Sequence, residues 1–251
     1  MSSNEAELIK TALPYWEAEA EIARRFFGGR PAEEDHIFWL KAQLWKELHP
    51  VDGYFNGIHK ELTKLAEMFP RVDQDVDRHH YRFLLEQMLQ EFNHYVLLAD
   101  ILEYLTAKKV SVEETIQLPQ ERRLQEVRQR YVTSGSEIEK AAVLFTEGGG
   151  ARLFREGRKV QGGKLEEMIA AAMDTIYEDE KNHFREAAAE ATVLIHSAED
   201  LERMKDAVEP ISRQRVAMRR EMFREPLNEA EVEAFIQEMK AKVAAGKFAE
   251  V

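Results

Sequence analysis

Two Glu-x-x-His motifs, Glu91/His94 and Glu180/His183, sit in the middle of apolar helical stripes, and they restrict this chain more than any other feature. At 100° per residue, Leu84, Met88, Tyr95, Leu98 and Leu102 fall within about 60° of Glu91. Ile169, Met173, Ile176, Tyr177, Phe184 and Ala187 gather about Glu180 in the same way. A carboxylate at the centre of a core-facing stripe is costly unless a charge meets it. Neither stripe carries a lysine or arginine near its glutamate, so a bound cation is the economical explanation. Two Glu-x-x-His helices are what a bundle holding two metal ions requires. A third copy, Glu33/His36, follows Gly28-Gly29-Arg30-Pro31, where acids simply favour a helix start.

The rest of the chain reads as helix. A 3.6-residue period predicts helices at 4–27, 33–49, 52–69, 77–107, 120–158 (with a break near Gly135), 164–197, 199–223 and 228–245. The seven prolines fall near places where a helical pattern starts or stops. Asp52, Asp77 and Asn228 are expected as caps, and Pro70, Pro119 and Pro226 as stops. The pairs Gly28-Gly29 and Gly162-Gly163 read as turns. The fold class is therefore all-α. One domain, 1–251, is expected, with a four-helix core at 52–197 and helical extensions at 1–51 and 198–251. The run Arg203, Lys205, Arg213, Arg215, Arg219, Arg220 and Arg224 is interleaved with Glu202, Asp206, Glu209, Glu221 and Glu225. It reads as a solvated helix face, with a docking patch for an acidic partner as the alternative.

A two-metal bundle needs two more carboxylates. Glu147 shares its face with Val143, Leu144, Ala151 and Phe154. It lies 15 residues before Gly162, while Glu180 lies 17 after Gly163, so antiparallel helices joined at that turn bring the two to one level. Glu61 is the first-helix candidate, beside the stripe Phe55, Ile58, Leu62, Leu65 and Phe69, with Glu47 as the alternative. Gly148-Gly149-Gly150 after Glu147 costs about 1 kcal/mol per glycine in a helix interior. Gly148 and Gly150 either leave a substrate cavity beside the metals or mark a local unwinding.

The order Glu61, Glu91-x-x-His94, Glu147, Glu180-x-x-His183, with separations of 30, 56 and 33 residues, resembles the ferritin-like di-iron carboxylate superfamily. Asp179-Glu180-Lys181-Asn182-His183 is similar to the Asp-Glu-x-Arg-His motif of its oxygen-activating branch, which includes the small ribonucleotide reductase subunit. Asn182 stands where that branch usually has Arg. The resemblance covers about residues 52–197. It implies a ferritin-like four-helix bundle, two iron ions (or iron with manganese) on Glu61, Glu91, His94, Glu147, Glu180 and His183, and Asp179 orienting His94.

The reaction class follows as an expectation: a non-haem di-iron oxidase or oxygenase that uses O₂ on a small organic substrate. An iron-handling or peroxide-scavenging ferritin- or rubrerythrin-like protein and a metal-free helical interaction protein are the alternatives. The chain has no cysteine, which excludes thiol catalysis and iron–sulfur ligation. It has no nucleotide-binding glycine motif either, so electrons are expected from a separate reductase or a co-substrate. A net charge of −12 argues against nucleic acid as a partner. No apolar run reaches a membrane span and the first residues lack a signal-peptide pattern, so a cytoplasmic location without membrane attachment is expected. Association into a homo-oligomer is left open.

Overall fold

The periodicity becomes ten α-helices in the computed structural model, which describes residues 3–49, 58–133 and 136–247 apart from the side chains of 58–61 and 186. They are α1 (Ser3–Gly28), α2 (Glu33–Leu48), α3 (Ile58–Met68), α4 (Arg78–Thr106) and α5 (Pro119–Thr133). Then follow α6 (Glu137–Phe145), α7 (Gly148–Gly157), α8 (Lys164–Val193), α9 (Ala198–Met222) and α10 (Glu229–Ala244). No strand occurs among the described residues. Nor, among them, is any helix long and apolar enough to cross a membrane.

Local signals explain most boundaries. Asp77 accepts from the backbone N–H groups of His79 and His80, satisfying two orphan donors at the start of α4. Asn228 and Glu231 cap α10 reciprocally. Asp52, expected as a third cap, lies outside the described residues. Pro119 opens α5 instead of stopping a helix, a position where its fixed φ and missing N–H cost nothing. Pro14 and Pro210 lie inside α1 and α9. A helix-interior proline costs about 3 kcal/mol, which the burial of these two helices offsets. The stretch 120–158, expected as a helix with a break near Gly135 as an option, is three helices, and Gly135 itself lies outside the described residues. Helix α5 ends at Thr133 and α6 starts at Glu137, and the turn Thr146–Glu147 separates α6 from α7.

The core extends beyond 52–197. Every residue from Ala12 to Ala23 in α1 is buried, as befits a central helix, and Ile211, Val216 and Met218 of α9 are buried with them. Helix α1 lies against α7, α9 and α10; α2 lies against α4; α8 lies against α4, α6 and α7. Residues from both ends of the chain share one apolar cluster with α2, α4, α5, α7 and α8. A second cluster joins α1, α6, α8 and α9 around Trp16, Phe145 and Phe184. The site described next lies where α2, α4 and α8 approach the α6–α7 turn.

Candidate metal centre

Helix α4 places Glu91 and His94 one turn apart on its inner side, α8 does the same for Glu180 and His183, and α2 brings Glu47 from its last turn. One ligand atom each of Glu47, Glu91 and His94 lie within 4.8 Å of one another, and so do those of Glu91, Glu180 and His183. The two groups share Glu91. His94 is fully buried, and its Nδ1 lies 3.7 Å from Glu47 Oε2 and 3.8 Å from Glu91 Oε2. His183 Nδ1 lies 3.8 Å from Glu91 Oε1. These gaps exceed a hydrogen bond, and His94 Nδ1 has no hydrogen-bond partner. Metal–ligand bonds of about 2.0–2.2 Å put two donors on one ion at most about 4.4 Å apart. The histidine–carboxylate gaps already meet that limit, and shifts of a few tenths of an ångström bring the remaining donors, within 4.8 Å, to it, so the residues present can accommodate a pair of cations with one Glu91 oxygen toward each histidine.

Each ring is aimed by a neighbour. His94 Nε2 donates to Asp179 Oδ2 at 3.1 Å, which leaves Nδ1 to face Glu47 and Glu91. His183 Nε2 donates to Gln90 Oε1 at 2.7 Å, and Gln90 Nε2 donates to Asp179 Oδ1 at 3.2 Å. Gln90 thus ties the two histidines together, in the way metal-ligating imidazoles are usually held. Motif reading passes over it because it is uncharged. Its place four residues before His94, on the same side of α4, was the available signal.

The electrostatics describe a site short of positive charge. Burial alone would lower the pKa of His94, but the Asp179, Glu47 and Glu91 carboxylates outweigh it and push the imidazole up to about 11. Burial raises the Glu180 carboxyl, with Glu147 and Glu47 adding to this against His94 and Arg215, to about 7. His183 is held down at about 4 by burial and by the positive His94. It is therefore a neutral imidazole at physiological pH, the form that ligates metal.

Glu147 is placed differently from expectation. It forms the turn between α6 and α7, and its carboxylate pairs with Arg128 and, at 2.8 Å, with Arg215 Nη1. Burial would raise its pKa, yet Arg215, Arg128 and Lys46 together hold it at about 2. Its need for a cation is already met by guanidinium groups. Glu47 occupies the first-helix position in the group. Glu61 falls in α3, and its side chain lies outside the described residues. Of the glycines, Gly150 borders the cavity, where an added Cβ would sit 3.5 Å from Arg215 Nη2 and 3.8 Å from Glu180 Oε2. Gly148 does not line it. A Cβ there would come within 2.8 Å of Trp16 Cζ2, so this glycine serves the close approach of α1 to α7.

Sequence reading also missed the arginines. Within the basic run, Arg203, Arg213 and Arg220 reach solvent and pair with Glu199, Glu233 and Glu225. Arg215 and Arg219, in contrast, are buried on the buried Glu19, Arg215 Nε at 2.9 Å and Arg219 Nε at 3.2 Å. Val208, Ile211, Arg215, Met218, Arg219 and Met222 recur at helical spacing, which places both arginines on the apolar face of α9. A cavity of about 320 Å³ runs past both sets of residues. Gln43, Lys46, Arg128 and Arg219 lie on its wall, as do Glu47, Glu91, Glu180 and His183. No known family model matches the chain, and no curated protein matches it.

Proposed function

We propose that this chain is a di-iron carboxylate oxidase or oxygenase built on a ferritin-like arrangement of α2, α4, α6–α7 and α8. The observation that carries the reading is the pair of three-donor groups sharing Glu91 beside a cavity of about 320 Å³. Glu47, Glu91 and His94 would hold one ion, and Glu91, Glu180 and His183 the other. A set of carboxylates and imidazoles without thiolate suits iron or manganese. When bound, reduced iron supplies the electrons for O₂ activation, and a separate reductase or co-substrate restores them. The protein's own part is to orient both imidazoles through Asp179 and Gln90 and to offer a walled space to a small organic substrate.

The test is anaerobic loading with Fe(II), followed by metal analysis and O₂ uptake. Two ions per chain with O₂ consumption and no growth of a mineral particle support the reading. Mineral growth points to iron handling instead. Failure to retain metal leaves a helical interaction protein and ends the proposal.

A further inference from the structure

Helix α4 turns Glu91 and His94 inward and leaves an apolar stripe on its opposite side. Leu85, Leu89, Phe92 and Val96 are 38%, 66%, 46% and 38% exposed. Their spacing of four, three and four residues is that of a coiled-coil seam. Continued at the same spacing, the seam reaches Arg82 and Arg78 at one end and Ala99 and Glu103 at the other. Exposed hydrophobics scattered singly are ordinary, but four in line on one helix mark a surface that meets another. Helices α2, α3 and α8 pack against α4 and leave this stripe uncovered.

We infer that this face binds the same face of a second copy of the chain, α4 against α4, antiparallel about a two-fold axis near Gln90 and Glu91. Leu85 then packs on the partner's Val96 and Leu89 on the partner's Phe92, the layer pattern of an antiparallel coiled coil. Met88 and Tyr95, both partly buried, flank the seam on one side. Charge selects both the occupant and its direction. The exposed residues Arg78, His79 and Arg82 make one end of the stripe basic, while Asp100 and Glu103 make the other acidic. An antiparallel copy sets Arg82 and His79 beside the partner's Asp100, and Arg78 beside the partner's Glu103, each contact occurring twice by symmetry. Arg82 already meets Glu86 in its own helix, and its guanidinium has donors left for a second carboxylate. A parallel pair would instead oppose Arg82 to Arg82 and Asp100 to Asp100. A uniformly acidic or basic partner would match one end and be repelled by the other. The stripe is complementary to itself, and the inference does not depend on the metal reading.

Sedimentation velocity of the full chain across the micromolar range should show a monomer–dimer equilibrium. Leu89→Glu should leave only monomer while the helices persist by circular dichroism. Arg82→Glu and Asp100→Arg should each weaken the dimer by about tenfold or more, because each reversal acts twice in a symmetric pair. Combining the two should restore it. The native chain has no cysteine, so introduced thiols report the pairing directly. Leu85→Cys protein mixed with Val96→Cys protein should form an intermolecular disulfide on oxidation. Either variant alone should not, since its two sulfurs lie about 16 Å apart in the antiparallel dimer. A chain that stays monomeric throughout overturns the inference and leaves the stripe to a different protein. A dimer that survives Leu89→Glu overturns it as well, because the contact then lies elsewhere. Tightening by Arg82→Glu, or efficient cross-linking of Leu85→Cys alone, would mean a parallel pair and sink the antiparallel one. Should Leu89→Glu fail to fold, the mixed-disulfide experiment decides.

Discussion

Glu19, Glu121 and Glu147 each lie against a lysine or arginine, whereas Glu47, Glu91 and Glu180 are drawn together around two histidines. Glu147 of the first set and all three of the second line the same cavity, and Gly150 stands between Arg215 and Glu180. In the first, fixed guanidinium and ammonium groups supply the positive charge, and the Glu147 carboxyl is held far below its ordinary range. In the second, a proton on His94 supplies it and the Glu180 carboxyl is pushed up. The difference teaches where a cation belongs. A buried carboxylate that has arginine carries its counter-charge in the protein, while one that borrows a proton can exchange that proton for a metal ion.

The comparison breaks most sharply at Glu91, which both three-donor groups share. Glu91→Ala should abolish binding of both ions in metal analysis while the helices persist by circular dichroism. Glu147→Gln should keep both. Retention of full metal by Glu91→Ala would remove the bridging role.

On the arginine side the expected loss is stability. Arg215→Met leaves Glu19 with Arg219 alone and Glu147 with Arg128 alone, so the cost should reach at most the roughly 3–5 kcal/mol of breaking a buried pair outright. Denaturant titration of the metal-free protein measures it. A cost below about 1 kcal/mol, the range of exposed pairs, would mean that water reaches this cluster.

Protons should leave the metal side as ions enter. The His94 pKa of about 11 means it carries a proton at pH 8, while Glu180 at about 7 is mostly ionised and His183 at about 4 is neutral. Binding should therefore release about one proton at pH 8 and about two at pH 6, and affinity should fall as pH falls. Calorimetry in buffers of different ionisation enthalpy reads this number directly. Zero release at both values would show that the ions bind elsewhere. A smaller effect is expected at Gln90, where Gln90→Leu frees the His183 ring and weakens metal binding roughly ten- to hundredfold. An unchanged affinity would reduce Gln90 to a packing residue.

How much of this was legible follows from how far each signal reaches along the chain. Glu91 with His94, and Glu180 with His183, are one helical turn apart, so periodicity alone puts each pair on one side. The match in level between Glu147 and Glu180 was also readable, since only the short connection 158–163, closed by Gly162-Gly163, separates α7 from α8. The partners of Glu147 were not, because Arg128 is 19 residues away and Arg215 is 68. Charge count along α9 suggested a solvated face, and only the apolar neighbours of Arg215 and Arg219 show that those two turn inward. Helix α1 was undervalued for a related reason. Its Glu17, Glu19 and Glu21 look like surface charges, yet all three are buried, Glu17 on Arg152 and Glu19 on Arg215 and Arg219. Sequence period locates a residue on a helix; which neighbour supplies its counter-charge is a property of tertiary packing.

The smallest expected effect comes from adjacent glycines that face the two regions. A Cβ on Gly149 would overlap the Glu19 carboxylate, which Arg215 and Arg219 hold in place and which cannot turn aside. A Cβ on Gly150 would instead make ordinary contacts, at 3.5 Å to Arg215 Nη2 and 3.8 Å to Glu180 Oε2. Gly149→Ala should therefore destabilise by about 1–3 kcal/mol through overpacking. Gly150→Ala should gain up to about 1 kcal/mol from the lower backbone entropy of alanine in α7. Both variants should still bind two ions, since neither Cβ enters the space between Glu91 and the histidines. Paired thermal melts with metal analysis make the check. Loss of an ion in Gly150→Ala would mean that Glu180 needs this gap to reach its metal, which would move the boundary between the two regions onto Glu180 itself. Equal stability changes at Gly149 and Gly150 would mean instead that the start of α7 shifts as a unit, and that the arginine side is less rigid than its ion pairs imply.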